Sequence, residues 1–255
     1  MKMFYNAQWL RLLTEVGALR ISVSSSHVHE MRVATKKVMS VMRALDKSEM
    51  LEALRPHYHA CGRVREPEIM IAIIAEIAKE GPIDVSFVLR RLRAIRASSI
   101  HSLKHELSIL DDAALSTVRS AAEQVLAGMT DLSMERARDH YIKGRYKHVC
   151  KICKDLDDME VLHKIRRDLK DITYLLDLAP VHDRTNKRRH SLVEDVESFL
   201  GAIHDHAVTR VWTGDLPEGT ISDDSRHTIR QFLKNMIRTD VRSARTTVAS
   251  LCRDW

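Results

Sequence analysis

The chain has 255 residues, hydrophobic residues at 44% of positions and a formal net charge of +6. That is enough apolar material for one large domain or two small ones with real cores, which excludes disorder, and the basic excess points to an anionic partner. Only 8 Gly and 5 Pro interrupt the chain, and β-branched and aromatic residues never alternate with period 2, so the pattern is all-α and excludes a sheet.

From Phe4 to about Arg20 the residues Trp9, Leu12, Leu13, Val16 and Leu19 recur at three- and four-residue steps and predict an amphipathic helix. Ser24, Ser25 and Ser26 cap the next, which runs from about His27 to Leu45 on a stripe of Met31, Ala34, Val38, Val41, Met42 and Leu45. After Gly62 a short loop is expected, with Pro67 in the first turn of a helix carrying Ile69, Met70, Ile73, Ile74 and Ile77. Gly81 and Pro82 end it. Asp84 opens a long helix to about Asp111, and a further helix covers roughly Ala113 to Leu126, before Gly128.

The second half follows the same plan. Helices are expected from about Ser133 to Leu156 and from Met159 to Leu178, then a stop at Pro180 and a basic loop through Arg189. A helix from Leu192 towards Trp212, a loop marked by Gly214, Pro217 and Gly219, and a last helix from Ser225 to about Cys252 complete the chain. The domain division this suggests is 1–128 and 129–255.

One motif occurs twice. His29-Glu30-Met31-Arg32 is followed by Lys36, and His163-Lys164-Ile165-Arg166 by Lys170, both reading His-x-x-Arg-x-x-x-Lys. Steps of three and four residues place the three side chains within about 60° of one line along a helix. Each stripe is expected opposite its core face. On the first helix Arg43 and Lys47 continue the line, so five cationic or protonatable groups extend over roughly 27 Å. Such stacking costs a few tenths of a kcal/mol per exposed pair, and folding does not require it, so a bound anion is the natural compensation.

Downstream of each stripe a cationic or protonatable residue directly precedes an acid: Arg65-Glu66 in Gly62-Arg63-Val64-Arg65-Glu66-Pro67-Glu68, and His204-Asp205 in Leu200-Gly201-Ala202-Ile203-His204-Asp205. Glu66 and Asp205 are expected to hold their neighbours by charge-assisted hydrogen bonds, aiming the remaining donors at a ligand. Arg90 and Arg93 on the long helix, and Arg230 and Lys234 on the last, extend the candidate anion contacts.

No catalytic, cofactor or metal site is expected. The chain has no Gly-x-x-x-x-Gly-Lys phosphate loop, and Asp155, Asp157 and Asp158 read as a loop and helix start. Cys150-Lys151-Ile152-Cys153 lies inside an amphipathic helix without a second ligand pair, and its cysteines are expected as buried or half-buried thiols. With no signal peptide and no long apolar run, a cytoplasmic location without a membrane span is expected.

The sequence resembles the conserved histidine alpha-helical domain, or CHAD, family. The resemblance rests on Val28-His29-Glu30-Met31-Arg32-Val33-Ala34-Thr35-Lys36-Lys37, on Leu162-His163-Lys164-Ile165-Arg166 with Lys170 and Tyr174, and on Leu200-Gly201-Ala202-Ile203-His204-Asp205. It implies two pseudo-symmetric helical bundles, an internal duplication, enclosing a basic central groove or pore, and non-catalytic binding of inorganic polyphosphate, with targeting to polyphosphate granules. The family pattern carries over to His29, Arg32, Lys36 and Lys37, to Arg65 and Glu66, and to His163, Arg166, Lys170, His204 and Asp205.

Met39, Asp171 and Thr173 stand where the family often has Arg, which implies a less basic second half and binding dominated by the first. Polyphosphate carries about one charge per phosphate and no bases, so it calls for a track of donors without stacking platforms. Nucleic acid is the alternative partner, but the 3 Trp, 5 Tyr and 4 Phe are spaced mostly as core residues and are absent from both stripes. A polyphosphate-processing phosphatase or phosphotransferase is the enzymatic alternative.

Overall fold

The computed structural model describes residues 1–81, 83–156, 158–178 and 184–254, with the backbone alone at 184–186 and 254. Pro82, Asp157 and Pro180, each given a role above, lie outside the described residues. Among the described residues there are nine α-helices, one 3-10 helix and no strand, so the chain is all-α. In order the helices are α1 (Lys2–Ile21), α2 (Ser25–Ala44), the 3-10 helix (Ser48–Leu54), α3 (Arg55–Ile77), α4 (Ser86–Ser108), α5 (Asp112–Ala127), α6 (Asp131–Ile152), α7 (Met159–Leu176), α8 (Arg184–Gly214) and α9 (Asp223–Asp254).

The starts follow local chemistry. Ser24 Oγ accepts from the His27 amide at 3.2 Å and begins α2, and Asp111 Oδ1 accepts from the Ala113 amide at 2.8 Å and begins α5. Two expectations fail. The loop after Gly62 is absent: α3 starts at Arg55, with Pro56 in its first turn, and runs through both Gly62 and Pro67. Pro67 lacks the amide that would bond the Arg63 carbonyl, which costs about 3 kcal/mol, but Val64, Met70, Ile74 and Ile77 on the same helix are buried and offset it. The basic segment through Arg189 is likewise helical, because α8 begins at Arg184.

The chain forms two compact units, and they cut across the 1–128/129–255 division. The first comprises Met1–Arg65, Ala97–Arg145 and Tyr174–Pro180, the second Glu66–Arg96, Tyr146–Thr173 and Val181–Trp255. In the first unit α1 packs on α2 and α5, with Tyr5, Trp9, Leu12 and Leu19 of α1 fully buried. In the second, α8 packs along α9 and one apolar cluster joins Met70, Ile74 and Ile77 of α3, Val85, Val88 and Leu92 at α4, and Leu216, Ile221, Ile229 and Leu233. Residues 70–92 thus bury their apolar faces against the C-terminal helices, and hydrophobic burial groups them there irrespective of chain order.

Candidate functional site

The α2 face is embedded, not solvated. His29 is exposed, but Arg32, Lys36, Lys37 and Arg43 are each half-buried. Tyr58 on α3 explains the most informative of them. The Arg32 guanidinium lies 4.3 Å above the Tyr58 ring centre, while Nη1 donates to the Tyr58 carbonyl at 2.9 Å and Nη2 to its hydroxyl at 3.1 Å. Gly62, one turn further along α3, leaves room for this packing, since a Cβ there would stand 2.7 Å from Arg32 Nη1 and oblige the guanidinium to shift. Arg32 is therefore locked in position, with its stem and one face committed to the protein.

The other cations of the α2 stripe also meet groups of the protein. Lys36 Nζ lies 5.7 Å from the same Tyr58 ring centre. Lys37 Nζ is ion-paired with Asp177 at 2.9 Å and lies within 6 Å of the ring centres of Phe4 and Tyr174. Arg43 donates to Ser40 Oγ at 3.1 Å. Aromatic rings thus border the α2 stripe although none belongs to it in sequence.

The α7 face belongs to the second unit. Its Arg166 lies against α8 at Gly201, where a Cβ would be 3.9 Å from Nε, so both His-x-x-Arg arginines face a glycine of a later helix. Unlike Arg32, Arg166 makes no hydrogen bond or ion pair among the described residues, and its Nε is buried. His163 is exposed, its ring centre 5.9 Å from that of His204 on α8. Partial burial, followed by the charges of Arg166 and Arg167, holds the His163 pKa below the usual imidazole range. Lys170 is ion-paired with Glu197 of α8, and Thr173 Oγ1 donates to Glu197 Oε2 at 3.3 Å.

These contacts revise three expectations. Asp171 and Thr173 do not dilute a surface stripe, because only 3% and 8% of them is exposed; the acid that offsets the α7 stripe is Glu197. Glu66 is exposed and Asp205 half-buried, and neither carboxylate makes an ion pair among the described residues. Adjacent residues on a helix diverge by about 100°, so neither acid can hold its neighbour. The acids with that role are Glu68, which takes Arg96 Nε and Nη2 at 2.8 Å, and Asp240, which meets His206 Nδ1 at 3.1 Å. Arg65 is half-buried at the middle of α3, and Arg90 and Arg93 are exposed on α4.

His148, Asp168 and the disulfide are features the sequence reading missed. Asp168, 1% exposed on α7, accepts from His148 Nδ1 at 2.5 Å. Cys150 and Cys252 are joined in a disulfide across 102 residues, so they are not thiols; Cys61 and Cys153 are free. Burial pushes the Cys61 thiol up to about 12, which leaves it unreactive. Among the described residues no three His, Cys, Asp or Glu side chains gather where they could hold one metal ion, and no helix is long and apolar enough to cross a membrane.

No curated protein matches the chain. The family model of the CHAD domain matches residues 6–214, a span from the second turn of α1 to the last residue of α8 that contains both His-x-x-Arg faces. With most of its length matched, the chain belongs to the CHAD-domain family.

Proposed function

We propose that this protein binds inorganic polyphosphate without catalysis, through the α2 and α7 faces. CHAD domains are associated in general with polyphosphate binding. The observation that carries the reading is Arg166: a guanidinium with a buried Nε and no hydrogen-bond partner among the described residues. Leaving such a donor unsatisfied costs about 1–3 kcal/mol, and an oxyanion that reaches it recovers that cost with charge-assisted bonds. His163 and His204 stand beside it and supply donors that gain charge as an anion raises their proton affinity. On α2, Arg32 is held rigid by Tyr58 with Lys36 next to it, an arrangement that recognises phosphoryl oxygens with little ordering cost.

The rings at the α2 face favour this partner over nucleic acid. Tyr58 is covered by the guanidinium of Arg32, so this face is taken by a cation, not open to a base. Tethering to polyphosphate granules is the role that fits a binder of this kind. Competition at fixed salt tests the partner: polyphosphate is expected to displace a labelled polyphosphate probe far better than single-stranded DNA of equal charge, and equal displacement overturns the reading. Phosphate release from polyphosphate with added Mg²⁺ or Mn²⁺ overturns its non-catalytic part.

A further inference from the structure

Where α8 and α9 run together in the second unit, a cleft of about 410 Å³ is lined by Arg210, Asp223, Arg226, His227, Arg230, Gln231 and Lys234. Four fixed cations and one acid face it. The α9 residues recur every four positions, so Arg226, Arg230 and Lys234 climb one side of the helix, and Arg210 faces them from α8. Arg226 is committed to the fold, since its Nη1 donates to the carbonyls of Thr213, Gly214 and Leu216 at 2.8 to 3.3 Å, and its Nη2 to that of Pro217 at 2.9 Å. It thereby neutralises the carbonyl-rich end of α8.

Arg210, Arg230 and Lys234 carry no such structural role. None of the three makes a hydrogen bond or ion pair among the described residues, although exposed Arg and Lys elsewhere in the chain regularly find a carboxylate. The cleft also opens at the start of α9, where the aligned peptide dipoles add partial positive charge. Every lining residue is polar or charged, with no Phe, Tyr, Trp or aliphatic residue among them, which suits a small anion better than an acyl group. Arg226 to Lys234 lie beyond residue 214, outside the span that defines the family.

We propose that this cleft is a second anion site, one of a size to take a compact oligophosphate. Arg210 and Lys234 close on it from opposite helices, Arg230 supplies a planar fork between them, and Arg226 fixes the helix ends that hold all three. The inference is independent of the reading of the α2 and α7 faces.

Tripolyphosphate is the probe, with binding followed by titration calorimetry at low salt on the full chain. Arg210→Gln/Lys234→Gln is expected to weaken tripolyphosphate binding about tenfold or more, while Lys79→Gln, which removes an exposed cation paired with Glu76, leaves it unchanged. Lys234→Glu, a single change at an exposed side chain, is expected to weaken it in the same direction and guards against a misfolded double variant. Absence of tripolyphosphate binding by the wild-type chain, or binding unchanged from the wild type in both cleft variants, overturns the proposal. So does an equal loss of binding in Lys79→Gln. Long-chain polyphosphate binding that persists in the cleft variants leaves the α2 and α7 reading standing, so the two can fail separately.

Discussion

Gly62 and Gly144 both sit inside helices, yet alanine is expected to act with opposite sign at the two. At Gly144 of α6 nothing lies within 4 Å of an added Cβ, so Gly144→Ala gains only helix propensity, about 0.5–1 kcal/mol of stability. At Gly62 the same gain is opposed, because the Cβ would stand 2.7 Å from Arg32 Nη1 and the guanidinium must shift against its contacts with Tyr58. At stake in that shift are two bonds from a charged donor and a ring contact at 4.3 Å, together worth at most about 2–3 kcal/mol once solvation of the freed group is counted. The net expectation is a loss of about 1–2 kcal/mol for Gly62→Ala. In a chain of this size that lowers the melting temperature by roughly 3–6 °C, whereas Gly144→Ala raises it by roughly 2–3 °C. In an Arg32→Ala background the clash has no object, so Gly62→Ala should recover the propensity gain, a coupling that a double-mutant cycle by thermal and urea unfolding measures directly. A Gly62→Ala chain as stable as the Gly144→Ala chain would refute the claim that Gly62 exists to seat Arg32.

Further outcomes follow from the remaining contacts. Reducing Cys150–Cys252 opens a loop of 102 residues, and Cys252→Ser is expected to lower stability by about 4–5 kcal/mol on chain entropy, read as a fall in the urea midpoint that reductant reproduces in the wild type. Burial holds the pKa values of His163 and His57 below the usual imidazole range, so the folded chain binds fewer protons than the unfolded one; stability from these groups is present above about pH 6.5 and is lost as the pH falls through it. Polyphosphate should oppose that shift at His163, so calorimetry in buffers of different ionisation enthalpy should show proton uptake on binding near neutral pH, reduced in His163→Gln. Asp177→Asn frees Lys37 from its ion pair and should tighten polyphosphate binding and steepen its salt dependence; unchanged binding would remove Lys37 from the ligand set.

The helices were legible because their apolar stripes are long, and both His-x-x-Arg faces were found from spacing alone. What spacing cannot supply is the partner across the fold. Tyr58 lies 26 residues from Arg32 and Glu197 lies 27 from Lys170, and nothing local in either stripe announces a ring or an acid opposite it. The pairing of Cys150 with Cys252 was illegible for the same reason, since cysteine connectivity is a property of the fold. Gly62 was read as a helix stop because glycine usually is one; here burial of the α3 stripe keeps the helix going and the glycine serves a close approach. Glycine within an apolar period is the signal that distinguishes the two cases, and it recurs at Gly201 beside Arg166.

The central claim, that the α2 and α7 faces are the polyphosphate contacts, is tested most directly by long-chain polyphosphate affinity measured across a range of salt. His29→Gln/Lys36→Gln and His163→Gln/Arg166→Gln are compared with the wild type after helicity and melting are matched. The account predicts weaker binding and a shallower slope of log affinity against log salt in each variant, with a larger loss when the four changes are combined. Affinities and slopes equal to those of the wild type in all three variants would contradict it.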